Sequence, residues 1–314
     1  MTPTETSEPK ILDLSGQLLT SIPASVCQQV TLEKLELDRN LLRSLPANIG
    51  QLSKLKKLSL YSNQLTALPP SIWQLTSLEI LNIAENQLEL IPDEIGNLTS
   101  LQMLDLGHNQ LATLPATIGN LSNIRFLYLS NNSLTAIPQS FGKLSKLIYL
   151  NLTDNQLSAL PDLVGKLKQL IELRLYNNCL ASLPDAMGDL FELKELHLMK
   201  NKLTSLPTTI GKLAQLKKLG LEGNELTALP ESIGRLHNLT DLDLRNNHLA
   251  ALPEAIGSLK NLRTLDLRAN KLMGLPDSMK NLLDLEKLDL RWNKSLQLPA
   301  WLAEFAQRNC VIFT

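Results

Sequence analysis

The stretch Leu-Thr-Asp-Leu-Asp-Leu-Arg-Asn-Asn-His-Leu-Ala-Ala-Leu-Pro-Glu-Ala-Ile-Gly-Ser-Leu-Lys-Asn, from Leu239 to Asn261, holds the plan of the whole chain. Its skeleton, LxxLxLxxNxLxxLPxxIGxLxx, returns along nearly the entire sequence. Asn40, Asn63, Asn86, Asn109, Asn132, Asn155, Asn178, Asn201, Asn224, Asn247, Asn270 and Asn293 follow one another at a constant step of 23 residues. Prolines keep the same phase from Pro23 and Pro46 to Pro276 and Pro299, and Gln17 stands where an earlier asparagine would be. Thirteen units, beginning near residue 9 with no insertion between them, account for most of the 314 residues. A period of this length marks a solenoid, in which each unit is one supersecondary element stacked on the next.

With Leu239 as position 1, Leu242 and Leu244 (positions 4 and 6) alternate with Asp241, Asp243 and Arg245 (3, 5 and 7). That is the period of a short strand with one buried face. Positions 1, 11, 14, 18 and 21 are apolar as well, and only neighbours stacked on both flanks can enclose them. At position 9, where the chain leaves the strand, a buried asparagine can bond backbone groups of its own coil and of the adjacent one. Proline at 15 presets φ for the return segment, and glycine at 19 is expected to allow a tight turn before the next strand. The return segment is too short for a long helix with two turns and is expected to run as extended backbone and 3₁₀ turns.

This pattern resembles the leucine-rich-repeat superfamily, specifically its 23-residue class, and the resemblance covers roughly residues 9 to 300. The class is known from intracellular Ras-pathway scaffolds, plant Ras-group repeat proteins and bacterial repeat proteins. It implies an α/β-type solenoid, a curved horseshoe with a parallel β-sheet on its concave face and 3₁₀ or extended backbone on its convex side. By family analogy it also implies non-catalytic protein binding, with small GTPases or signalling enzymes as partners. Residues 1–8 read as a loose tail and 9–298 as the solenoid. Its first unit is degenerate (Pro9, Gln17 and Cys27 at positions 1, 9 and 19), and its last has Ser295 in place of a leucine. Residues 299–314 read as a closing cap, in which Leu302 and Phe305 share a helical face and Cys310–Phe313 forms an edge segment. A monomer without an appended catalytic domain is expected.

A net charge of −1 leaves no global field to draw nucleic acid or anionic lipid. No apolar run reaches the roughly 18 residues of a membrane-span candidate, and Met1–Pro9 lacks the apolar core of a secretory signal. The three cysteines, Cys27, Cys179 and Cys310, are an odd number at distant places with no clusters at the ends. A reducing, cytoplasmic compartment is expected, the alternative being delivery into a host cell without a signal peptide.

A uniform core leaves individuality to positions 3, 5 and 7, which should point into the hollow, with 8 and 10 at its rim. A charged zone holds Lys34, Glu36, Asp38 and Lys57, with Arg39 at the rim. A central zone gathers Met103, Phe126, Tyr128, Tyr149, Tyr176 and Met199, with Arg174 and His197 between them. All four tyrosines, Tyr61 included, fall at position 3, 5 or 7. Tyrosine favours strands in any case, but exposed aromatics flanked by arginine are also the usual anchors of an interface. This zone is expected to bind a protein partner. A third zone is a ladder of Asp243, Asp266 and Asp289 beside Arg245, Arg268 and Arg291. Aspartates one strand apart repel by roughly 1 kcal/mol per pair in watery surroundings, and arginines two residues on can neutralise them. The ladder is either a self-compensated surface or a second docking strip.

Enzymatic readings find little support. The aspartate ladder has the carboxylate spacing of a retaining glycosidase, but on an open, wet sheet with arginine beside each, nothing would raise the pKa of an acid partner. Cys179 and His248 are separated by three strands, too far for a nucleophile and its base. His108, His197, His237 and His248 occupy four different repeat positions, so no metal set is expected among them. No phosphate-cradling or dinucleotide motif occurs, and no cofactor is expected. The reading is a protein-binding scaffold. The alternatives are a bacterial effector delivered into a host cell and a glycan-recognition module.

Overall fold

The structure, a computed structural model, describes residues 10–314. The tail expected at residues 1–8, and Pro9, lie outside them. Two compact units divide the chain, one reaching Leu147 and the other starting at Ile148. The first contains β1 (Ile11–Asp13), β2 (Lys34–Glu36), β3 (Lys57–Ser59), β4 (Ile80–Asn82), β5 (Met103–Asp105) and β6 (Phe126–Tyr128), paired in parallel in chain order. The second contains β7 (Tyr149–Asn151), β8 (Glu172–Arg174), β9 (Glu195–His197), β10 (Lys218–Gly220), β11 (Asp241–Asp243), β12 (Thr264–Asp266) and β13 (Lys287–Asp289). There α1 (Leu302–Gln307) follows, and β14 (Val311–Phe313) pairs in parallel with β13.

The register sets each repeat position opposite its equivalent 23 residues away, so Leu58 lies between Leu35 and Leu81. Leu173 lies in the same way between Leu150 and Leu196, and these leucines are wholly buried. On the other side of the core, 3₁₀ turns such as Ala116–Asn120 and Asp185–Asp189 follow Pro115 (φ −68°) and Pro184 (φ −69°). Each unit is thus an α/β-type solenoid, a parallel sheet on one side and 3₁₀ turns with extended backbone on the other. The position-9 asparagine joins neighbouring coils where the chain leaves the strand. Asn63 Nδ2 donates to Leu37 O (2.9 Å) and Leu60 O (3.1 Å), and its Oδ1 accepts from Leu42 N (3.1 Å).

Two local expectations are corrected. Regular strand covers positions 3–5 and not 3–7, because position 8 is left-handed: Arg39, Ser62, Glu85, His108, Lys200, Ala269 and Trp292 have φ between 52° and 63°. This reversal points the next residue, the asparagine, into the core. A non-glycine residue there costs roughly 1–2 kcal/mol, offset by bonds to the next coil such as Arg39 N to Tyr61 O (2.8 Å) and Lys200 N to Glu222 O (2.7 Å). Glycine at position 19 serves close approach and not turn flexibility. It sits inside the 3₁₀ turn, and a Cβ on Gly165 would lie 2.5 Å from the carbonyl oxygen of Ala186 in the following coil.

At the C-terminal end, Trp301 and Phe305 are buried with ring centroids 5.7 Å apart. The Trp301 indole N–H donates to Asp277 Oδ1 at 2.8 Å.

Candidate functional site

In the first unit the register sets Met103 opposite Phe126 and Asp105 opposite Tyr128. All four side chains are half-buried and not freely exposed, since neighbours on strands about 4.8 Å apart cover one another. The Arg125 guanidinium lies 5.8 Å from the centre of the Phe126 ring. Burial pushes the Asp105 carboxyl up from its ordinary range, against the opposing Gly107 N–H bond and the His108 charge. Nearer the N-terminus, Lys57 pairs with Glu36 at 2.7 Å. The Tyr61 hydroxyl donates to Glu85 Oε1 at 2.6 Å, a bond that raises the phenol pKa.

In the second unit Tyr149 faces Glu172, and Arg174 faces both Asn151 and His197. The Arg174 guanidinium stands 5.7 Å from the Tyr149 ring centre while its Nε donates to Glu172 Oε1 at 2.6 Å. Burial works to lower the Arg174 pKa, but the Glu172 bond and the charges around it raise it further, so the cation is permanent. His197 Nε2 lies 3.2 Å from Glu195 Oε2 and 3.8 Å from Glu172 Oε1. Lys218 Nζ holds the other oxygen of Glu195 at 3.0 Å. Burial tends to raise the Glu195 carboxyl, but the bonds from Lys218 and His197 win and lower it. Met199 lies sideways on β10, where a Cβ on Gly220 would collide with its sulfur. The bare glycine is the bed of the thioether. Tyr176 is half-buried two residues beyond Arg174.

Glu172, Glu195 and Lys218 were not singled out from sequence, although position 3 reads Glu, Glu, Lys in three successive coils. The four histidines do not gather. One of them, however, joins two carboxylates, and ligand atoms of Glu172, Glu195 and His197 lie within 4.8 Å of one another. This is the set among the described residues that could hold a metal ion. Both carboxylates already pair with a cation, Arg174 or Lys218. The cluster therefore works as an ion-pair network that fixes the orientation of an arginine against an aromatic ring.

The Asp/Arg ladder is internally compensated. Arg245 bridges Asp243 (3.0 Å) and Glu222 (2.9 Å), Arg268 bridges Asp266 (2.6 Å) and Asp289 (3.4 Å), and Arg291 holds Asp289 (2.6 Å). It is not the uniformly wet surface expected, because Asp289 is 0% exposed. β14 places Phe313 opposite it, and Arg291 lies 4.8 Å from the Phe313 ring centre. Burial alone would raise Asp289, but the Arg291 bonds and the Arg268 charge hold it below the ordinary carboxylate range. Asp243 lacks that enclosure by two arginines, and burial pushes it up.

A family model described as a leucine-rich repeat region matches residues 10–114, 115–207 and 200–307. Among solved structures, a repeat protein of Leptospira interrogans is 39% identical with a TM-score of 0.87, covering 94% of this chain and 76% of its own. The plant peptide hormone receptor RGFR1 in complex with RGF2 is 32% identical with a TM-score of 0.79; the match covers 88% of this chain but only 46% of the receptor. An internalin of Listeria monocytogenes, 22% identical with a TM-score of 0.80 over 91% of this chain and 82% of its own, shares the fold. Among curated proteins none matches the chain at a significant level.

Proposed function

As the chain belongs to the leucine-rich-repeat family, we propose that it is a non-catalytic scaffold that recognises a protein partner on the inner face of its sheet. In the second unit the contact residues are Tyr149, Arg174, Tyr176, His197 and Met199; in the first they are Met103, Phe126 and Tyr128. One observation carries this reading: Arg174 is held between the Tyr149 ring and Glu172, so a cation and an aromatic are already oriented before anything binds. Side chains ordered in advance lose less entropy on association, and tyrosine and arginine are the residue types that dominate interface energies. The plant receptor bound to RGF2 supports a polypeptide as the class of ligand. A small GTPase or signalling enzyme is the partner that family analogy favours, and cytoplasmic residence as a monomer belongs to the same reading. No helix among the described residues is long and apolar enough to cross a membrane. The ladder of Asp243, Arg245, Asp266, Arg268, Asp289 and Arg291 satisfies its own charges and supports self-compensation over a second docking strip.

The test is partner capture from the native source with folded variants. Tyr149→Ala with Tyr176→Ala in the second unit, and Tyr128→Ala in the first, should each weaken capture by about thirtyfold or more, the effect of losing roughly 2 kcal/mol at an anchor. Phe191→Ala, an exposed aromatic off the strands, should leave capture unchanged. Equal capture by all of them would overturn the proposal.

A further inference from the structure

The repeat is broken most sharply away from the sheet. Where position 19 is glycine, successive 3₁₀ turns pack so closely that a Cβ on Gly50 would lie 2.5 Å from the Ser71 carbonyl oxygen. The following coil has Trp73 at that position, buried at 3% exposure within the turn Pro70–Gln74. A space too tight for a methyl group cannot admit an indole. That turn and the next, Asp93–Asn97, must therefore stand apart, and a cleft of about 370 Å³ opens between the two coils. Two more departures from the repeat converge there. Pro70 adds a second proline after Pro69, and position 13, small in Ala67, Thr113 and Ala136, is Leu90, which is 68% exposed.

We propose that this cleft is a second docking site, independent of the sheet face, for a protein segment that presents one bulky apolar side chain between basic residues. Leu68, Pro70, Trp73 and Leu90 supply the apolar walls, and Glu89 and Glu94 supply exposed carboxylates at the rim. No basic residue lines the cleft, and neither carboxylate has an ion pair among the described residues. The volume is at the lower end of the roughly 300–1,000 Å³ typical of ligand sites. It suits one large side chain anchored by burial of apolar surface, while the rim charges select what flanks it.

A displayed library of random heptapeptides, selected on the full chain, provides the probe. Selected peptides should carry a central Leu, Met or aromatic residue with Lys or Arg on both sides. Binding of the best one, read by fluorescence anisotropy, should weaken at least tenfold with Leu90→Ala, with the pair E89Q and E94Q, and with the Lys/Arg positions of the peptide changed to Glu. Trp73→Gly, which restores the repeat residue, should abolish it. Tyr176→Ala should leave it intact, which separates this site from the sheet face. Selections without that pattern, no saturable binding, or binding indifferent to Leu90→Ala would overturn the proposal. So would a dimer in sedimentation that Leu90→Ala dissociates, since the occupant would then be a second copy.

Discussion

Replacing Asn178 with alanine removes three short hydrogen bonds at once. The side chain is 7% exposed. Its Nδ2 donates to Leu152 O (2.9 Å) and Leu175 O (3.1 Å), and its Oδ1 accepts from Leu157 N (3.0 Å). Two of the three bonds reach the preceding coil, so the loss falls on the joint between coils as well as on the turn within one. At about 1 kcal/mol net per bond the cost is about 3 kcal/mol, and buried backbone groups left without a partner raise it to about 3–5 kcal/mol. Urea unfolding followed by circular dichroism measures it, with the exposed neighbour Gln156→Ala as a control expected to stay within about 0.5 kcal/mol. A loss below 1 kcal/mol for Asn178→Ala would refute the assignment of the asparagine period to inter-coil bonding.

Gly165→Ala should destabilise by about 1–3 kcal/mol in the same assay, because its Cβ meets Ala186 backbone that cannot swing away. Ala269→Gly should do the opposite, raising stability by about 1 kcal/mol, since Ala269 is held at φ 52°. Asp289 has a folded pKa below its unfolded value of 3.8, so its contribution is present above that pH and is lost as pH falls through the folded value. Asp289→Asn should therefore cost about 2 kcal/mol at neutral pH, with the urea midpoints of the two proteins converging as pH falls through the folded value. Gly220→Ala should displace Met199 and weaken partner capture while leaving the urea midpoint nearly unchanged, read by pull-down and circular dichroism side by side.

The sequence made the repeat legible because asparagine, leucine and proline each do one job at one phase. The buried asparagine bonds and the proline-led 3₁₀ turns appear where that phase placed them. The left-handed position 8 was legible only in part: Gly16, Asn131, Asp154, Asn177, Gly223 and Asn246 favour that conformation, whereas Arg39, Glu85, Lys200 and Ala269 do not, and there bonds to the next coil impose it. Glycine at 19 was visible as a residue type but not as a cause, because the atom it makes room for belongs to another coil. Asp289 was read as a surface group because the strand that covers it, β14, follows an irregular segment with no repeat phase. The candidate residues Tyr149, Arg174 and His197 follow from their repeat positions alone. Their carboxylate partners Glu172 and Glu195 stand two residues earlier on the same strands, a same-face spacing that the sequence carried, but the pairing itself shows only in the structure. Trp73 stood out in the sequence as a replacement for glycine, but the cleft it opens depends on how tightly its neighbours pack.

The most direct test of sheet-face recognition is photo-crosslinking in the native source, with a benzophenone amino acid placed in turn at positions 128, 176 and 191. Crosslinks to one and the same protein from 128 and 176, and none from 191, are the expected result. A partner that crosslinks from 191 and from neither strand position would contradict the account.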